Sequence, residues 1–343
     1  MKLLVLSGAE VDGLLPPGEC ADAMRDALAA RARGEVYQPL RMVIRPDGAA
    51  GLMALMPCYL PGPEAGPGAP AGPGGPDPAG GYGLKAICIV PGNPARGLDA
   101  HQGVVLLSSP QTGEPLAIVN ASAVTAIRTA AVSAVATALL ARADATELAI
   151  IGTGVQARSH LRAISAARPL TRIRVTGRDE ARSRRFAEQM RAHTAVPLLA
   201  CRSAAEAVDG AGIVVTATNS AEPVLRREWL APGAHINAVG ACVPQTRELD
   251  TATMAAAALF ADSRESVLAE SGDFRLAAAD GAIGPDHIRA EIGEVLTGRA
   301  PGRADDDEVT VFESLGLAVE DLAAAALAYR KAAGLATGAW VEF

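Results

Sequence analysis

Aromatic side chains supply only 3% of the 343 residues, so no core here can be built on stacked rings. Val, Leu, Ile and Ala must fill it, and with half of all residues apolar there are enough of them. Cysteine is sparse too. Cys20, Cys58, Cys88, Cys201 and Cys242 form no CxxC pair and are odd in number, which argues against a disulfide framework or a cysteine zinc site and fits a reducing cytoplasm. Positive charge is not in excess: the net charge of −7 argues against nucleic acid or an anionic membrane surface as the main partner, while leaving room for a local cationic pocket. Long apolar runs are missing. Residues 1–6 are too short for a signal peptide, and no run approaches the roughly 18 apolar residues of a membrane span. His101 and His287 lack metal-ligand spacing, His160 lies inside a helical pattern, and Asp305-Asp306-Asp307-Glu308 reads as a solvated turn, so no metal is assigned. A cytoplasmic protein is expected.

What is present centres on Leu148-Ala149-Ile150-Ile151-Gly152-Thr153-Gly154-Val155-Gln156-Ala157. The apolar run reads as a buried parallel strand, the Gly-x-Gly-x-x-Ala stretch as a tight turn, and the next segment as a helix through Leu161 and Ile164. That order turns a weak glycine pattern into a dinucleotide-binding candidate. Gly152 permits the turn, Gly154 removes a Cβ that would block a pyrophosphate, and Ala157 lets helix and strand pack closely. The first-turn N–H groups, from Val155 and Gln156 onward, then face the phosphates at the positive end of the helix dipole.

In the preceding part of the chain, residues 16–33 read as an amphipathic helix. Strands are expected at 38–44, 52–56, 83–90, 103–109 and 115–120, making a mainly antiparallel sheet. The Pro-, Gly- and Ala-dominated stretch 61–81 buries too little side chain to order itself and is expected to be a mobile loop. Asn120 or Ser122 is placed to cap a helix running towards Leu140. After Leu148, strands at 172–176, 197–200, 212–217, 235–239 and 259–261 alternate with helices, which predicts a parallel sheet covered on both faces. An amphipathic helix over 317–331 comes last.

An NAD site usually carries an acid at the end of its second strand, about 20 residues after the glycine turn, on the ribose hydroxyls. Here Gly177 stands at that place, followed by Arg178 and Asp179, with Arg182 one turn further on. A guanidinium binds a 2′-phosphate that a carboxylate would repel. NADP(H) is therefore favoured, with NAD(H) the alternative if Asp179 serves the ribose. Arg41, Lys85 and Arg128 lie on three other elements in apolar company, where long cations are rarely placed without a partner.

The stretches Gln38-Pro39-Leu40-Arg41, Met56-Pro57, Gly83-Leu84-Lys85, Ile127-Arg128-Thr129-Ala130, the glycine turn, His235-Ile236-Asn237-Ala238-Val239-Gly240, Glu270-Ser271-Gly272-Asp273 and Ser314-Leu315-Gly316-Leu317 occur in one order. Through them the chain resembles the ornithine cyclodeaminase/mu-crystallin family over nearly its whole length. The resemblance implies a Rossmann doubly wound sheet over residues 126–314. It also implies a mainly antiparallel α+β substrate and dimerisation domain over 1–125 and 315–343, and a homodimer. It places Arg41, Lys85 and Arg128 on the substrate carboxylate. The cofactor falls to Thr129, Gly152, Gly154, Val155, Gln156, Ala157, Arg178, Val239, Gly240, Ser314 and Gly316.

Cyclodeaminases of the family carry an Asp where this chain has Cys242, and tend to carry a Glu where it has Ala54. Two carboxylates suited to a diamine are missing, and a largely neutral thiol cannot replace one. The expected activity is therefore NADPH-dependent reduction of a small cyclic or linear imino acid, such as pyrroline-2-carboxylate or piperideine-2-carboxylate, the imine nitrogen being either already protonated or taking its proton from Lys85 or water. Like-charge repulsion from Arg128 is expected to lower the Lys85 pKa. The alternatives are a cyclodeaminase-type lyase with bound NAD, an alanine dehydrogenase-like enzyme, and a non-catalytic NADPH-dependent binder.

Overall fold

A computed structural model describes residues 2–61 and 80–343. Of the expected mobile loop, 62–79 lie outside the described residues. The chain divides into two compact units, one formed by residues up to Arg128 together with Leu317–Phe343, the other by Thr129–Gly316.

The first unit holds β1 (Lys2–Leu6), β2 (Met42–Ile44), β3 (Leu52–Leu60), β4 (Gly81–Ile89), β5 (His101–Ser108) and β6 (Pro115–Asn120). A C-terminal strand, Ala339–Glu342, lies antiparallel to β1, so both chain ends build one seven-stranded sheet. Its order is C-terminal strand, β1, β6, β5, β4, β3, β2, with β1 and β6 the one parallel pair. Strand 38–44 proves shorter than expected: Arg41 precedes β2 rather than lying within it. Asn120, not Ser122, caps the helix Ala121–Leu140, accepting from the Ala123 N–H at 3.0 Å; Ser122 instead donates to the His101 carbonyl.

The C-terminal helix Ala318–Leu335 packs on the helix Pro17–Ala32 and on β3, β4 and β5. Strand alternation sends Gly81, Gly83, Lys85 and Ile87 of β4 to the buried face. A Cβ on Gly83 would come within 3.0 Å of Leu322 Cδ1, so glycine there lets the helix approach the sheet.

The second unit holds β7 (Glu147–Ile151), β8 (Arg172–Thr176), β9 (Leu198–Ala200), β10 (Ile213–Thr216), β11 (His235–Ala238), β12 (Ala258–Ala261), β13 (Ile288–Glu291) and β14 (Thr310–Glu313). They form one parallel sheet in the order β13, β12, β14, β11, β10, β7, β8, β9. Successive residues of each strand feed two cores. Leu148, Ile150, Ile173, Val175 and Val215 pack on one face; Ala149, Ile151, Val214, Ile236 and Leu259 pack on the other. From β7 the chain winds outward through β8 and β9, then returns to β10 on the other side of β7. That reversal is a topological switch point, and a doubly wound sheet binds its ligand there, beyond the carboxyl ends of the strands.

The helix Ala121–Leu140 corrects one expectation. It is long and apolar enough to cross a membrane, contrary to the absence of any such run read from the sequence. Of its apolar window, 67% is buried inside the protein, and packing accounts for its composition.

Candidate active site

The glycine turn leaves the switch-point strand β7. Gly152 has φ +130, and a Cβ there would lie 2.4 Å from the Ala217 carbonyl oxygen, so the fold itself demands glycine. Gly154 differs. A Cβ would meet no atom within 4 Å, and the residue is the N-cap of the helix Val155–Ala167 with no capping side chain. The protein gives no packing reason for glycine at 154 and leaves the N-terminal helix dipole facing open space, which fits a pyrophosphate. Val155 is exposed, Gln156 half-buried, and Ala157 fully buried against Leu148 and Ile150.

The other cofactor candidates of this unit, Thr129 apart, lie just past the carboxyl ends of neighbouring strands. Arg178 comes two residues after β8 and is exposed; Val239 and Gly240 come directly after β11; Ser314 and Gly316 come after β14. Thr129 is buried within the helix Ala121–Leu140. Asp179, the candidate for an NAD ribose, is engaged as a helix cap: its Oδ1 accepts from the Arg182 N–H at 2.8 Å, and Oδ2 lies 3.2 Å from Arg182 Nε. Gly177 is glycine because a Cβ would press on Thr153 Cγ2 at 2.8 Å.

Beneath these loops lies an acid cluster to which the sequence assigned no role, although Asp273 falls in one of the stretches that carry the resemblance. Glu248 accepts from the Gly240 N–H at 2.6 Å, the Thr218 N–H at 2.6 Å and the Thr216 hydroxyl at 2.9 Å. Asp273 Oδ1 accepts from the Glu248 and Leu249 N–H groups, Glu313 accepts from the Ser271 hydroxyl, and Asp262 accepts from the Gly316 N–H at 2.5 Å. Burial raises the Asp273 pKa to about 7 and that of Glu313 well above the usual range, each helped by its acidic neighbours. Cys242 is half-buried and donates to the Val239 carbonyl at 3.1 Å.

In the first unit the structure brings Lys85 and Arg128 together on acids that sequence reasoning did not assign. Lys85 Nζ lies 2.6 Å from Asp321 Oδ2. Arg128 Nε reaches Asp321 Oδ1 at 3.0 Å and Nη1 reaches Glu320 at 2.5 Å. All four side chains are at most 4% exposed. Glu320 also accepts from the Leu317 N–H, which fixes it at the start of the C-terminal helix. Neither acid stands at Ala54 or Cys242, the two positions where the sequence lacks a carboxylate.

The Lys85 pKa is lowered to about 8, as expected, but the leading cause is burial. Asp321 opposes the shift, and repulsion from Arg128 and the half-buried Arg41 adds to it. Burial pushes the neighbouring Cys58 thiol up to about 12, so it stays neutral.

A doubly wound parallel sheet with a ligand-ready glycine turn at its switch point defines a dinucleotide-binding α/β protein, here with a mixed-sheet unit that buries a Lys–Arg–carboxylate network. The chain belongs to the ornithine cyclodeaminase/mu-crystallin family, whose model matches residues 1–335. It is 39% identical to ketimine reductase mu-crystallin of Mus musculus over 316 residues, which is 92% of this chain and 91% of that protein. The structure of Thermococcus litoralis Δ1-pyrroline-2-carboxylate reductase in complex with NADH and L-proline matches with a TM-score of 0.90 and 34% identity, covering 98% of this chain and 99% of the other. An archaeal alanine dehydrogenase dimer with bound NAD matches with a TM-score of 0.89 and 31% identity over the full length of both chains.

Proposed function

We propose that this protein is an NADPH-dependent reductase of small imino acids, converting a ketimine such as pyrroline-2-carboxylate to the amino acid. The observation that carries the reading is Lys85: a buried ammonium, held by Asp321, whose pKa of about 8 keeps it charged at neutral pH yet able to release its proton. When bound, a nicotinamide cofactor would supply the hydride for the imine carbon. Arg128 and Arg41 attract the substrate carboxylate. Lys85 gives one proton to the imine nitrogen, so that hydride and proton together saturate the C=N bond, and it is recharged from solvent. Glu320 and Asp321 keep the two buried cations in register while the site is empty of substrate.

The relatives support the substrate class: one is a ketimine reductase, and another is described with L-proline, an imino-acid reduction product. NADPH is favoured over NADH because Asp179 is committed to its helix cap while Arg178 is exposed beside the turn. The working unit is a homodimer of the first unit's sheet. Edge strand β2 leaves Met42 60%, Val43 48% and Ile44 45% exposed, an apolar edge that a lone chain would leave open to aggregation.

The test is a screen of NADPH and NADH oxidation against pyrroline-2-carboxylate, piperideine-2-carboxylate, iminosuccinate, and pyruvate with ammonia. Turnover of the cyclic imines with NADPH is the expected result, and Lys85→Met should lose most of it. Ammonia release from ornithine with NAD+, or tight NADPH binding with no turnover across the panel, overturns the reading. Sedimentation of wild type against Ile44→Asp tests the dimer: the variant should be monomeric.

A further inference from the structure

The stretch Glu270-Ser271-Gly272-Asp273 helps to carry the family resemblance, yet no step of the reaction uses it. It meets the segment 241–249, which follows β11. A Cβ on Gly272 would lie 1.8 Å from the Thr246 carbonyl oxygen and 2.7 Å from that of Val243, so glycine lets the start of the helix Gly272–Ala279 press on that segment. The Gly272 N–H donates to the Ala241 carbonyl at 3.0 Å. Asp273 Oδ1 then accepts from the Glu248 and Leu249 N–H groups at 2.7 and 2.9 Å, and the Ser271 hydroxyl donates to Glu313 at the end of β14.

Glu248 is fully buried and spans two strand ends. Its carboxylate takes the Thr216 hydroxyl on β10, the Thr218 N–H just past β10 and the Gly240 N–H just past β11. A Cβ on Gly240 would lie 2.6 Å from Glu248 Cδ, so the acid itself requires glycine there. Asp262 holds the Gly316 N–H past β14 in the same way. Glu248, Asp262, Asp273 and Glu313 are at most 2% exposed, and four ionised acids gathered in a dry interior repel one another strongly. Asp273 is the largest charge acting on Glu313, with Glu248 and Asp262 behind it. Arg247, which faces Asp273, is itself paired with Asp280 at 3.6 Å. Among the described residues, Asp273 Oδ2 and Glu313 Oε1 are buried with no donor. An ionised carboxylate only accepts, whereas a protonated one also donates.

We propose that Glu248 is a positioning residue for the nucleotide, and that Asp273 and Glu313 share one proton that keeps it in place. The inference rests on the reading of Gly240 and Gly316 as cofactor contacts. With the proton bound, one carboxyl donates to the orphaned oxygen of the other, and Asp273 keeps its hold on the backbone of Glu248. When the proton leaves to solvent, a further negative charge appears in the cluster. Loosening of 241–249 relieves the repulsion among Asp273, Glu313 and Glu248, and Gly240 loses its anchor. Burial raises both acids above the usual carboxylate range, so the proton is held in acid and lost as pH rises past neutrality. Nucleotide affinity should follow it down.

The experiment measures NADH dissociation constants by calorimetry on the full-length protein; NADH is the probe because it lacks the titrating 2′-phosphate of NADPH. Wild type should lose about tenfold in affinity between about pH 6.5 and about pH 9.5. Glu313→Gln, whose amide can donate to Asp273 at every pH, should match wild type in acid and vary by no more than about twofold across the range. Lys85→Met should decline as wild type does, which separates this proton from that of Lys85. Glu248→Gln sets an amide donor against an N–H donor and should bind about tenfold more weakly at every pH. In the nucleotide-free protein, hydrogen exchange corrected for its intrinsic pH dependence should show 241–249 losing protection as pH rises in wild type and keeping it in Glu313→Gln. A wild type with no decline, or one that Glu313→Gln follows in parallel, overturns the shared proton. A folded Glu248→Gln that binds as wild type overturns the positioning role, and Glu313→Gln keeps the test open if that variant does not fold. Failure of wild type to bind either NADH or NADPH overturns the cofactor reading, while the exchange result still decides the proton.

Discussion

Neutralising Asp321 while keeping its shape isolates what that carboxylate does for Lys85. Burial lowers the lysine pKa to about 8 against the opposing pull of Asp321, which lies 2.6 Å away. An opposite charge at contact moves a pKa by about 1–3 units. In Asp321→Asn, with burial and Arg128 still acting, Lys85 should therefore fall to roughly pH 5–7. At pH 7 the wild-type amine is protonated roughly ten to one, whereas in the variant the ratio drops to between roughly one to one and one to a hundred. If Lys85 is the proton donor, kcat/KM at pH 7 falls about twofold to a hundredfold and recovers as the pH is lowered. The assay is initial-rate NADPH oxidation with pyrroline-2-carboxylate from about pH 5 to about pH 10, with thermal unfolding on the same samples. The alkaline limb of the kcat/KM profile should move down by the same 1–3 units. A limb that stays near 8 in the variant refutes Lys85 as the acid, whatever happens to the rate.

The same shift has a stability signature: the unfolded chain binds the Lys85 proton more tightly than the folded one, so between about pH 8 and 10.5 Lys85 makes stability rise with pH, an increment Lys85→Met should remove from melting curves. The buried acids have the opposite sign. Asp273 and Glu313 have folded pKa values above their unfolded ones, so their contribution falls as pH rises above the ordinary carboxylate range, through about 7 for Asp273, and Glu313→Gln, which mimics the protonated acid, should flatten that decline in unfolding midpoint; an unchanged slope refutes it. Two glycines of one turn should separate fold from function. Gly152→Ala, forced to φ +130 against the Ala217 carbonyl, should cost about 2 kcal/mol or more of stability, whereas Gly154→Ala should melt as wild type and lose dinucleotide affinity in titration calorimetry.

The parallel sheet was legible because both faces are buried. Runs such as Leu148–Ile151 and Ile213–Thr216 are apolar throughout or nearly so, and glycine, Asp or Ser marks where helices begin. The strands that escaped are those without that signature. β14 reads Thr-Val-Phe-Glu, and its polar ends bond to residues far away in the chain: Thr310 to His235 at 2.9 Å, and Glu313 to Ser271 at 2.9 Å. β13 is four residues long and half polar. The Ala339–Glu342 strand exists because β1, more than 330 residues earlier in the chain, offers it an edge, a pairing that no local pattern announces.

The acids of the substrate-side network were hidden by a different effect: their positions had a sufficient local explanation. Glu320 and Asp321 fall in the first turn of the helix Ala318–Leu335, where acidic residues complement the helix dipole and a Glu at the third position can accept from the backbone N–H of the residue that starts the helix. Glu320 does cap that helix, and the same carboxylate takes Arg128 from 192 residues away. This double use has a chemical consequence. Lys85 and Arg128 are not a bare cationic clamp but half of a charge-balanced set of four, which is what permits two cations to be buried at all. A substrate carboxylate adds a negative charge to that balanced set. Its entry must raise the Lys85 pKa, so the lysine holds its proton while the imino acid is bound and gives it up only to a more basic nitrogen. A second ammonium on the substrate would find no further carboxylate at Ala54, which is 4% exposed on β3, and this cost works against diamines irrespective of which nucleotide is bound.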